Sequence, residues 1–196
     1  MRSIVGIDEV GRGPLAGPVS IGIVVCRSLL ILPELTDSKK MTEISRERVA
    51  ALAAEMQKAG DIAFGVYSAP ARVIDAIGIE AALRGIVAEG LRALVPEPET
   101  AEVVLDGRLR APKEYRQQSI IHGDLLVPAI SLAAVVAKVE RDHSMVRLSK
   151  KHPGYGFENH KGYGTPEHLS AIQKLGASPI HRLTFLSGIL GDTIPA

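Results

Sequence analysis

The sequence predicts an α/β domain with a mixed sheet and a helical C-terminal part. Strand-like segments come first along the chain, and helical segments lie between them and then cluster toward the end. With 196 residues, of which 46% are hydrophobic and 23% charged, the chain is long enough for one sizeable core, and neither disorder nor a coiled coil is expected. We therefore expect one domain over residues 1–196, with a helical C-terminal portion over about residues 165–196.

Five short apolar segments predict the strands of the sheet. Residues 3–8 and 19–26 are β-branched runs on either side of a glycine-rich turn, and they predict two neighbouring strands. Residues 61–68 predict a third strand. Two further strands are predicted at residues 101–105 and 119–121, and each leads to an aspartate.

Helical spacing of apolar residues predicts the remaining elements. A helix capped by Thr42 or Ser45 is expected to run to about residue 59, and residues 70–95 predict two consecutive helices. A long helix is predicted over residues 128–149. The last predicted helix is capped by Thr165 and has proline at its first position.

Cysteine use and hydropathy exclude several classes of protein. The single cysteine, Cys26, rules out an internal disulfide and a cysteine metal cluster, and its apolar surroundings predict a small core residue. No apolar run reaches the ~18–20 residues that span a bilayer. Asp8 and Glu9 fall where a signal peptide would need apolar residues. We therefore expect a cytoplasmic protein without a membrane partner, whereas the net charge of +1 indicates little about its partners.

Residues 11–17 form a glycine-rich loop directly after the first predicted strand. Gly11, Gly13 and Ala16 match the letters of the dinucleotide-binding pattern G-x-G-x-x-G/A. That pattern requires a helix after the loop, whereas residues 19–26 predict a strand, so we do not expect a Rossmann site. A tight turn that needs a positive φ and a loop that contacts substrate remain the two interpretations.

Four carboxylates occur at or just after predicted strand ends: Asp8, Glu9, Asp106 and Asp124. A solvated turn residue is the simpler interpretation of any one of them, but four converging acids repel one another unless a cation neutralises them. Oxygen ligands favour Mg²⁺ or Mn²⁺ over Zn²⁺, and the sequence has no H-E-x-x-H motif. Because adjacent strand residues point to opposite faces, Asp8 and Glu9 share a site only if the strand kinks at Val10 and Gly11 or if Glu9 uses its backbone carbonyl.

Six motifs, in this order, closely resemble bacterial ribonuclease HII, a family of type 2 ribonucleases H. They are G-I-D-E-V-G-R-G-P-L-A-G-P-V from Gly6, D-S-K-K-M from Asp37, L-D-G from Leu105, G-D from Gly123, A-K-V-E-R-D from Ala137 and H-K-G-Y-G-T from His160. The resemblance covers nearly the whole chain, from Gly6 to Phe185. It implies an RNase H-like fold, in which helices flank a central mixed five-stranded sheet, with a helical C-terminal portion.

The resemblance also implies an activity and its residues. It implies an endonuclease that cuts the RNA strand of RNA/DNA hybrids and cuts at single ribonucleotides embedded in duplex DNA, leaving 5′-phosphate and 3′-hydroxyl ends. It implies that the four carboxylates are catalytic and bind two divalent ions, Mg²⁺ or Mn²⁺. The substrate-binding residues that it implies are a 2′-hydroxyl-sensing loop of Gly11, Arg12 and Gly13, a phosphate-contacting pair of Lys39 and Lys40, and Tyr163, which packs on the sugar at the RNA-to-DNA junction.

Basic and aromatic residues predict how a duplex would bind. The long predicted helix carries Lys138, Arg141, Arg147, Lys150 and Lys151, and Tyr155 and Tyr163 follow it. Together they predict a duplex-binding groove that contacts phosphates without reading sequence, although a solvated helix face is the alternative. The five histidines from His143 onward are interpreted as loop or packing residues.

Two departures from the family pattern lie near the fourth carboxylate. Ala134 stands where many members have serine, and Leu125 and Leu126 replace a more polar pair. No C-terminal clamp-binding sequence is seen, so recruitment to a sliding clamp is not expected. We also expect a monomer. Two other functions stay open, a nucleotide-dependent transferase and a catalytically silent RNA/DNA duplex-binding module. Tight nucleotide binding would indicate the first, and absence of cleavage with either metal would indicate the second.

Overall fold

The computed structural model describes residues 2–26, 30 and 41–187. Lys39 and Lys40, the expected phosphate-contacting pair, lie outside the described residues, and so does the end of the chain from residue 188. No helix in the described part of the chain is long and apolar enough to cross a membrane.

A mixed five-stranded sheet forms the centre of the described structure and confirms the predicted fold class. Its strands are β1 (Ser3–Val10), β2 (Val19–Cys26), β3 (Ile62–Ala69), β4 (Ala101–Asp106) and β5 (Arg116–Ile120). The spatial order is β3-β2-β1-β4-β5. Strand β2 pairs antiparallel with β1 and β3, whereas β4 pairs parallel with β1 and β5. The carboxyl ends of β1 and β4 therefore lie side by side at the same end of the sheet.

Eight α-helices are described around and beyond this sheet. They are α1 (Glu43–Ala59), α2 (Ala71–Ile77), α3 (Ile79–Leu94), α4 (Gly123–Leu126), α5 (Pro128–Lys151), α6 (Phe157–His160), α7 (Pro166–Leu175) and α8 (Leu183–Leu186). The Thr42 hydroxyl accepts a hydrogen bond from the Ser45 amide at 3.2 Å, which identifies Thr42 as the cap of α1. Thr165 caps α7 in the same way, through the amide of His168. The helical character of the C-terminal portion is thus confirmed up to the last described residue.

The two faces of the sheet carry separate apolar cores. One core joins the sheet to α3, and the other joins it to α1 and α5. Helix α5 lies very close to the two central strands. A Cβ atom at Gly6 would lie 2.2 Å from the Ala129 carbonyl carbon, and one at Gly22 would lie 2.1 Å from the Ala133 oxygen. This close approach, which only glycine permits, brings the first two turns of α5 against the middle of β1 and β2.

Strand β5 is the one strand whose position differs clearly from the prediction. It begins at Arg116, three residues before the predicted Ser119. Its first half is polar because it forms an edge of the sheet, so the apolar signal marked only the last part of the strand. The other strands and the break between α2 and α3 at Gly78 agree with the prediction within about two residues.

Candidate active site

The parallel pairing of β1 with β4 brings the first and third acidic residues together. Ile7 is in register with Leu105, so Asp8 and Asp106 follow side by side at the same end of the sheet. The Gly123 amide donates a hydrogen bond to Asp106 Oδ1 at 2.7 Å, which ties the turn after β5 to the end of β4. Asp124, the next residue, is buried in α4. Three elements thereby converge on Asp8.

Asp8 lies in an electrostatically unfavourable position. Burial raises the pKa of its carboxyl to about 8, and the neighbouring charges of Asp106, Glu9 and Asp124 contribute to the increase. The Glu9 amide donates a hydrogen bond to Asp8 Oδ1 at 2.7 Å, which lowers the pKa only in part. The ionised form of Asp8 therefore lacks sufficient positive charge around it.

Glu9 lies on the same cavity as Asp8, although the two are adjacent in a strand. Strand β1 stays paired through Val10, and the chain turns at Gly11, whose φ is +83°. Burial raises the pKa of Glu9, against the opposing effect of Arg12. Arg12 Nε lies 3.1 Å from Glu9 Oε1, whereas the other oxygen, Oε2, is buried without a hydrogen-bond partner among the described residues.

Arg12 connects the glycine-rich loop to two acidic side chains. Besides Glu9, its guanidinium forms an ion pair with Glu80 at the beginning of α3. Both Arg12 and Glu80 are partly exposed, so this pair is in contact with solvent. The free protein thus holds the Arg12 side chain against the acidic residues and leaves the backbone of the loop facing the cavity.

A cavity of about 430 Å³ lies in front of Asp8 and Glu9. Its wall contains the expected loop of Gly11, Arg12 and Gly13 and also the expected Tyr163, whose side chain is 42% exposed. A Cβ atom at Gly13 would lie 3.9 Å from Tyr163 Cε1, so loop and ring face each other across a short gap. The remaining lining residues are Val10, Arg46, Ala134 and Lys138.

Arg46 is a lining residue that the sequence analysis did not identify. It lies on α1, and its Nη1 donates a hydrogen bond to the Met41 carbonyl at 2.6 Å. A basic residue at the start of a helix gives no signal of its own in the sequence. Its position became evident only from the packing of α1 against α5 beside the end of β1.

Two residues that were predicted to face a bound duplex are instead buried, so this part of the prediction is wrong. Tyr155 stacks on Phe157 with ring centroids 5.2 Å apart, and its hydroxyl donates a hydrogen bond to the Gly176 carbonyl. Arg141 is 1% exposed, because it points into the loops after β1 instead of along the basic face of α5. The Lys138 side chain pairs with Asp142 and does line the cavity.

Arg182 is a second buried arginine, and its guanidinium bonds the glycine-rich loop from the interior of the protein. It donates hydrogen bonds to the carbonyls of Gly11, Arg12 and Gly17 at 2.7–3.0 Å. Burial lowers its pKa to about 10, with a further contribution from the charge of Arg141. Arg182 lies within the stretch from Gly6 to Phe185 that resembles the family, but the resemblance did not specify this contact.

The acidic residues converge but do not form a closed set of ligands. No group of three or more histidine, cysteine, aspartate or glutamate residues in the described ranges is arranged to hold one metal ion. Mg²⁺ commonly takes only one or two carboxylates from a protein and completes its shell with water and substrate phosphates. The arrangement is therefore that of a site to which a substrate would contribute ligands.

Comparisons with known proteins agree with these features. The family model described as Ribonuclease HII matches residues 5–187. A Ribonuclease HII from Halorhodospira halophila is 42% identical over 187 residues, covering 93% of this chain and 91% of the relative. The RNase HII in a PCNA complex from Archaeoglobus fulgidus shares the fold, with a TM-score of 0.75, 24% identity and coverage of 92% and 94% of the two chains.

A more distant structure shows the same fold. Bst-RNase HIII in complex with Mn²⁺ superposes with a TM-score of 0.62 at 16% identity, covering 89% of this chain and 63% of that one. Because both structural matches are below 25% identity, they show the fold alone. The family assignment depends instead on the match of the family model over most of the chain and on the 42% identical relative. The chain belongs to the ribonuclease HII family, whose members are metal-dependent ribonucleases H that act on RNA/DNA substrates.

Proposed function

We propose that this ribonuclease H is an endonuclease that cuts the RNA strand of hybrids and also cuts at single ribonucleotides embedded in duplex DNA, leaving 5′-phosphate and 3′-hydroxyl ends. One observation carries the proposal. A single cavity brings the acidic end of β1 within reach of the loop of Gly11, Arg12 and Gly13 and of the Tyr163 ring. Groups suited to hydrolysis and groups suited to sugar recognition therefore face the same substrate position.

We propose that the acidic residues hold two divalent cations. The high pKa of Asp8 and the buried, unpartnered Oε2 atom of Glu9 indicate a place where positive charge is needed. All the available donors are oxygen atoms, which favours Mg²⁺ or Mn²⁺. We propose that Asp8 would serve both ion sites, that Glu9 and Asp106 would complete one of them, and that Asp124 would complete the other.

When bound, a pair of such ions activates a water molecule and neutralises the charge that develops on the scissile phosphate and the leaving oxygen. The protein contributes the placement of the ligands. The Glu9 amide donates to one oxygen of Asp8, and the Gly123 amide donates to one oxygen of Asp106. The second oxygen of each carboxylate is left available to a cation. No histidine lines the described cavity, so none is positioned there as a general base.

Recognition of the sugar is assigned to the other side of the cavity. We propose that backbone groups of Gly11, Arg12 and Gly13 meet the ribose 2′-hydroxyl, because Gly13 has no side chain to block close approach. A side chain at Gly11 would instead meet Arg141, whose Nε would lie 2.1 Å from its Cβ. The exposed Tyr163 ring would pack on the next sugar, where a deoxyribose fits and a 2′-hydroxyl crowds it. The short gap between Gly13 and Tyr163 agrees with two neighbouring sugars being read together.

Phosphate contacts would hold the rest of the duplex. Arg46 and Lys138 lie at the cavity and can each contact a phosphate, and Lys39 and Lys40 stay a prediction for the same role. Such contacts carry no sequence information, so binding should weaken with salt and should be independent of sequence. A monomer in the cytoplasm likewise remains a prediction from the sequence.

The experiment that tests the proposal uses a DNA duplex that carries one ribonucleotide. Cleavage is measured with Mg²⁺, with Mn²⁺ and with a chelator, and the ends of the products are identified by enzymatic labelling. We expect cutting at the ribonucleotide with either metal and none with the chelator. Tight binding without cleavage in both metals would instead indicate a catalytically silent duplex-binding module.

A further inference from the structure

The two loops on the recognition side of the cavity are joined to each other. We call residues 11–17 the glycine loop and residues 161–164 the tyrosine loop. The amides of Leu15 and Ala16 both donate hydrogen bonds to the Gly162 carbonyl, at 2.8 and 3.3 Å. The distance between the glycine loop and the Tyr163 ring is therefore set by how these two backbones are held.

Arg141 contacts both loops from inside the protein. Its Nη2 atom lies 3.1 Å from the Lys161 carbonyl oxygen and 3.5 Å from that of Ala16, and its Nε donates to the Pro18 carbonyl at 3.0 Å. The guanidinium carbon lies 6.0 Å from the centre of the Tyr163 ring. The side chain is 1% exposed, and backbone carbonyls accept from its Nε and Nη2 atoms, whereas Nη1 is buried without a hydrogen-bond partner among the described residues.

His168 holds the tyrosine loop from the other side, through a chain of neutral imidazoles. The Ser178 amide can only donate, so the Nδ1 atom of His181, 2.8 Å away, accepts and carries no proton. The proton of His181 is then on Nε2, which donates to His168 Nε2 at 3.0 Å. His168 in turn donates from Nδ1 to the Tyr163 carbonyl at 2.9 Å.

The neutral state of these histidines agrees with their surroundings. Burial lowers the pKa of His181 to about 4 and also lowers the pKa of His168. His168 is fully buried, as is Arg141, so neither can touch a nucleic acid in the cavity. His168 contacts the tyrosine loop through the Tyr163 carbonyl, whereas Arg141 contacts it through the Lys161 carbonyl and the Tyr163 ring.

We propose that Arg141 and His168 are positioning residues that determine substrate preference, because they fix the distance between the Tyr163 ring and the glycine loop. The inference rests on the proposed role of Tyr163 and extends it to two residues that have no contact with substrate. A small displacement of Tyr163 would weaken its packing on the sugar next to the ribose. The carboxylates on the opposite side of the cavity would stay in place.

The test measures kcat/KM of the full chain with Mg²⁺ on two substrates, a duplex with one ribonucleotide and a continuous RNA/DNA hybrid, at matched salt. The selectivity ratio is the first value divided by the second. We expect His168→Leu to lower this ratio ~10-fold or more, because the hydrogen bond to Tyr163 is lost. His168→Asn should keep most of it, since the amide nitrogen takes the place of Nδ1.

Arg141→Lys provides an independent variant of the same kind. Lysine keeps the charge but lacks the planar fork that donates to both loops, so we expect a similar fall in the ratio. Ile172→Val is the matched control, because Ile172 is fully buried one turn further along α7 and has no polar group to bond either loop. Its ratio should equal that of the wild type even if its unfolding temperature is lower.

The outcomes separate this inference from the proposed function. If Tyr163→Ala changes the ratio but Arg141→Lys and His168→Leu lower both activities in proportion, the positioning role is overturned and the role of Tyr163 stands. If Tyr163→Ala leaves the ratio unchanged, the role of Tyr163 fails and the inference fails with it. Should thermal unfolding show that His168→Leu is not folded, a lowered ratio for Arg141→Lys with a retained ratio for His168→Asn supports the proposal, and any other pair of results contradicts it.

Discussion

The two sides of the cavity are stabilised in opposite ways. On the catalytic side, acidic residues from β1, β4 and α4 lie close together, and burial, with a contribution from the neighbouring carboxylates, raises the pKa of Asp8 to about 8. On the recognition side, buried Arg141, Arg182 and His168 satisfy the carbonyls of the loops that surround Tyr163. These loop carbonyls are already hydrogen-bonded in the free protein, whereas we propose that cations complete the catalytic side.

This difference indicates that chemistry and substrate choice can be altered separately. A substitution of one of the carboxylates should reduce cleavage of every substrate, since the same catalytic residues act on each of them. A change among the loops or their supports should alter which substrate is preferred. Variants on each side of the cavity therefore test whether catalysis and substrate preference depend on separate residues.

The largest effect is expected on the catalytic side, from Asp8→Asn. Loss of the charge that would contact both ions removes several kcal/mol of transition-state stabilisation, so we expect cleavage of either substrate to fall by ~10³-fold or more. Duplex binding, measured by fluorescence anisotropy, should stay nearly intact. Asp61→Asn, an exposed aspartate ahead of β3, is the control and should cut like the wild type. Near-normal turnover of Asp8→Asn in either metal would remove Asp8 from the site.

The next largest effect is expected for Asp106 and Asp124, whose substitutions should reduce activity to different degrees. We expect Asp124→Asn to lose ~10- to 100-fold in Mg²⁺ and to recover part of this loss in Mn²⁺, which accepts mixed oxygen and nitrogen ligands more readily. Asp106→Asn should lose more and recover less, because in the proposed arrangement Asp106 would share an ion with Glu9, and because it accepts the hydrogen bond from the Gly123 amide. The measurement is kcat/KM of both variants in both metals. Equal losses that do not depend on the metal would contradict this ranking.

A smaller effect concerns stability without metal. The pKa of Asp8 is raised in the folded protein, so its contribution is favourable below the unfolded value of 3.8 and is lost as pH rises toward about 8. With a chelator present, Asp8→Asn should therefore unfold at a higher temperature than the wild type, by at least ~3 °C at pH 8 and by less at pH 5. Mg²⁺ should raise the unfolding temperature of the wild type more than that of the variant. A constant difference between pH 5 and pH 8 would show that the charge of Asp8 is not the cause.

The smallest effect is expected for a phosphate contact. Arg46→Gln should weaken binding of any duplex ~2- to 5-fold, as for an exposed ion pair. Its plot of log affinity against log salt should be less steep than that of the wild type by ~0.9, the slope contributed by one phosphate contact. Arg48→Gln, on the same helix but exposed away from the cavity, is the matched control. An unchanged slope for Arg46→Gln would exclude this contact.

The sequence predicted the strands and the acidic residues well, because their signals are local. Runs of β-branched residues mark β1 and β2, and Asp8 and Asp106 were recognised by their place at the ends of predicted strands. The parallel pairing of β1 with β4, which brings the two aspartates together, is a finding of the structure. The predicted start of β5 lies three residues after the observed one, because the polar first half of this edge strand lacks that signal.

The supports of the recognition loops could not be predicted in the same way. Arg141 contacts Pro18, 123 residues earlier in the chain, and Arg182 contacts Gly11, 171 residues earlier. Nothing in a sequence distinguishes a buried arginine on a basic helix from its exposed neighbours. Tyr155 was misplaced for the same reason, since an aromatic residue in a glycine-rich loop can pack inward as readily as outward.

The division between chemistry and substrate choice is tested most directly by Tyr163→Ala. The variant is assayed on a duplex with one embedded ribonucleotide and on a continuous RNA/DNA hybrid at matched salt, after thermal unfolding confirms its fold. We expect most cutting at the single ribonucleotide to be lost, more activity on the hybrid to remain, and the dependence on Mg²⁺ and Mn²⁺ to be unchanged. A proportional fall on both substrates would contradict the division and would assign Tyr163 to general binding or stability.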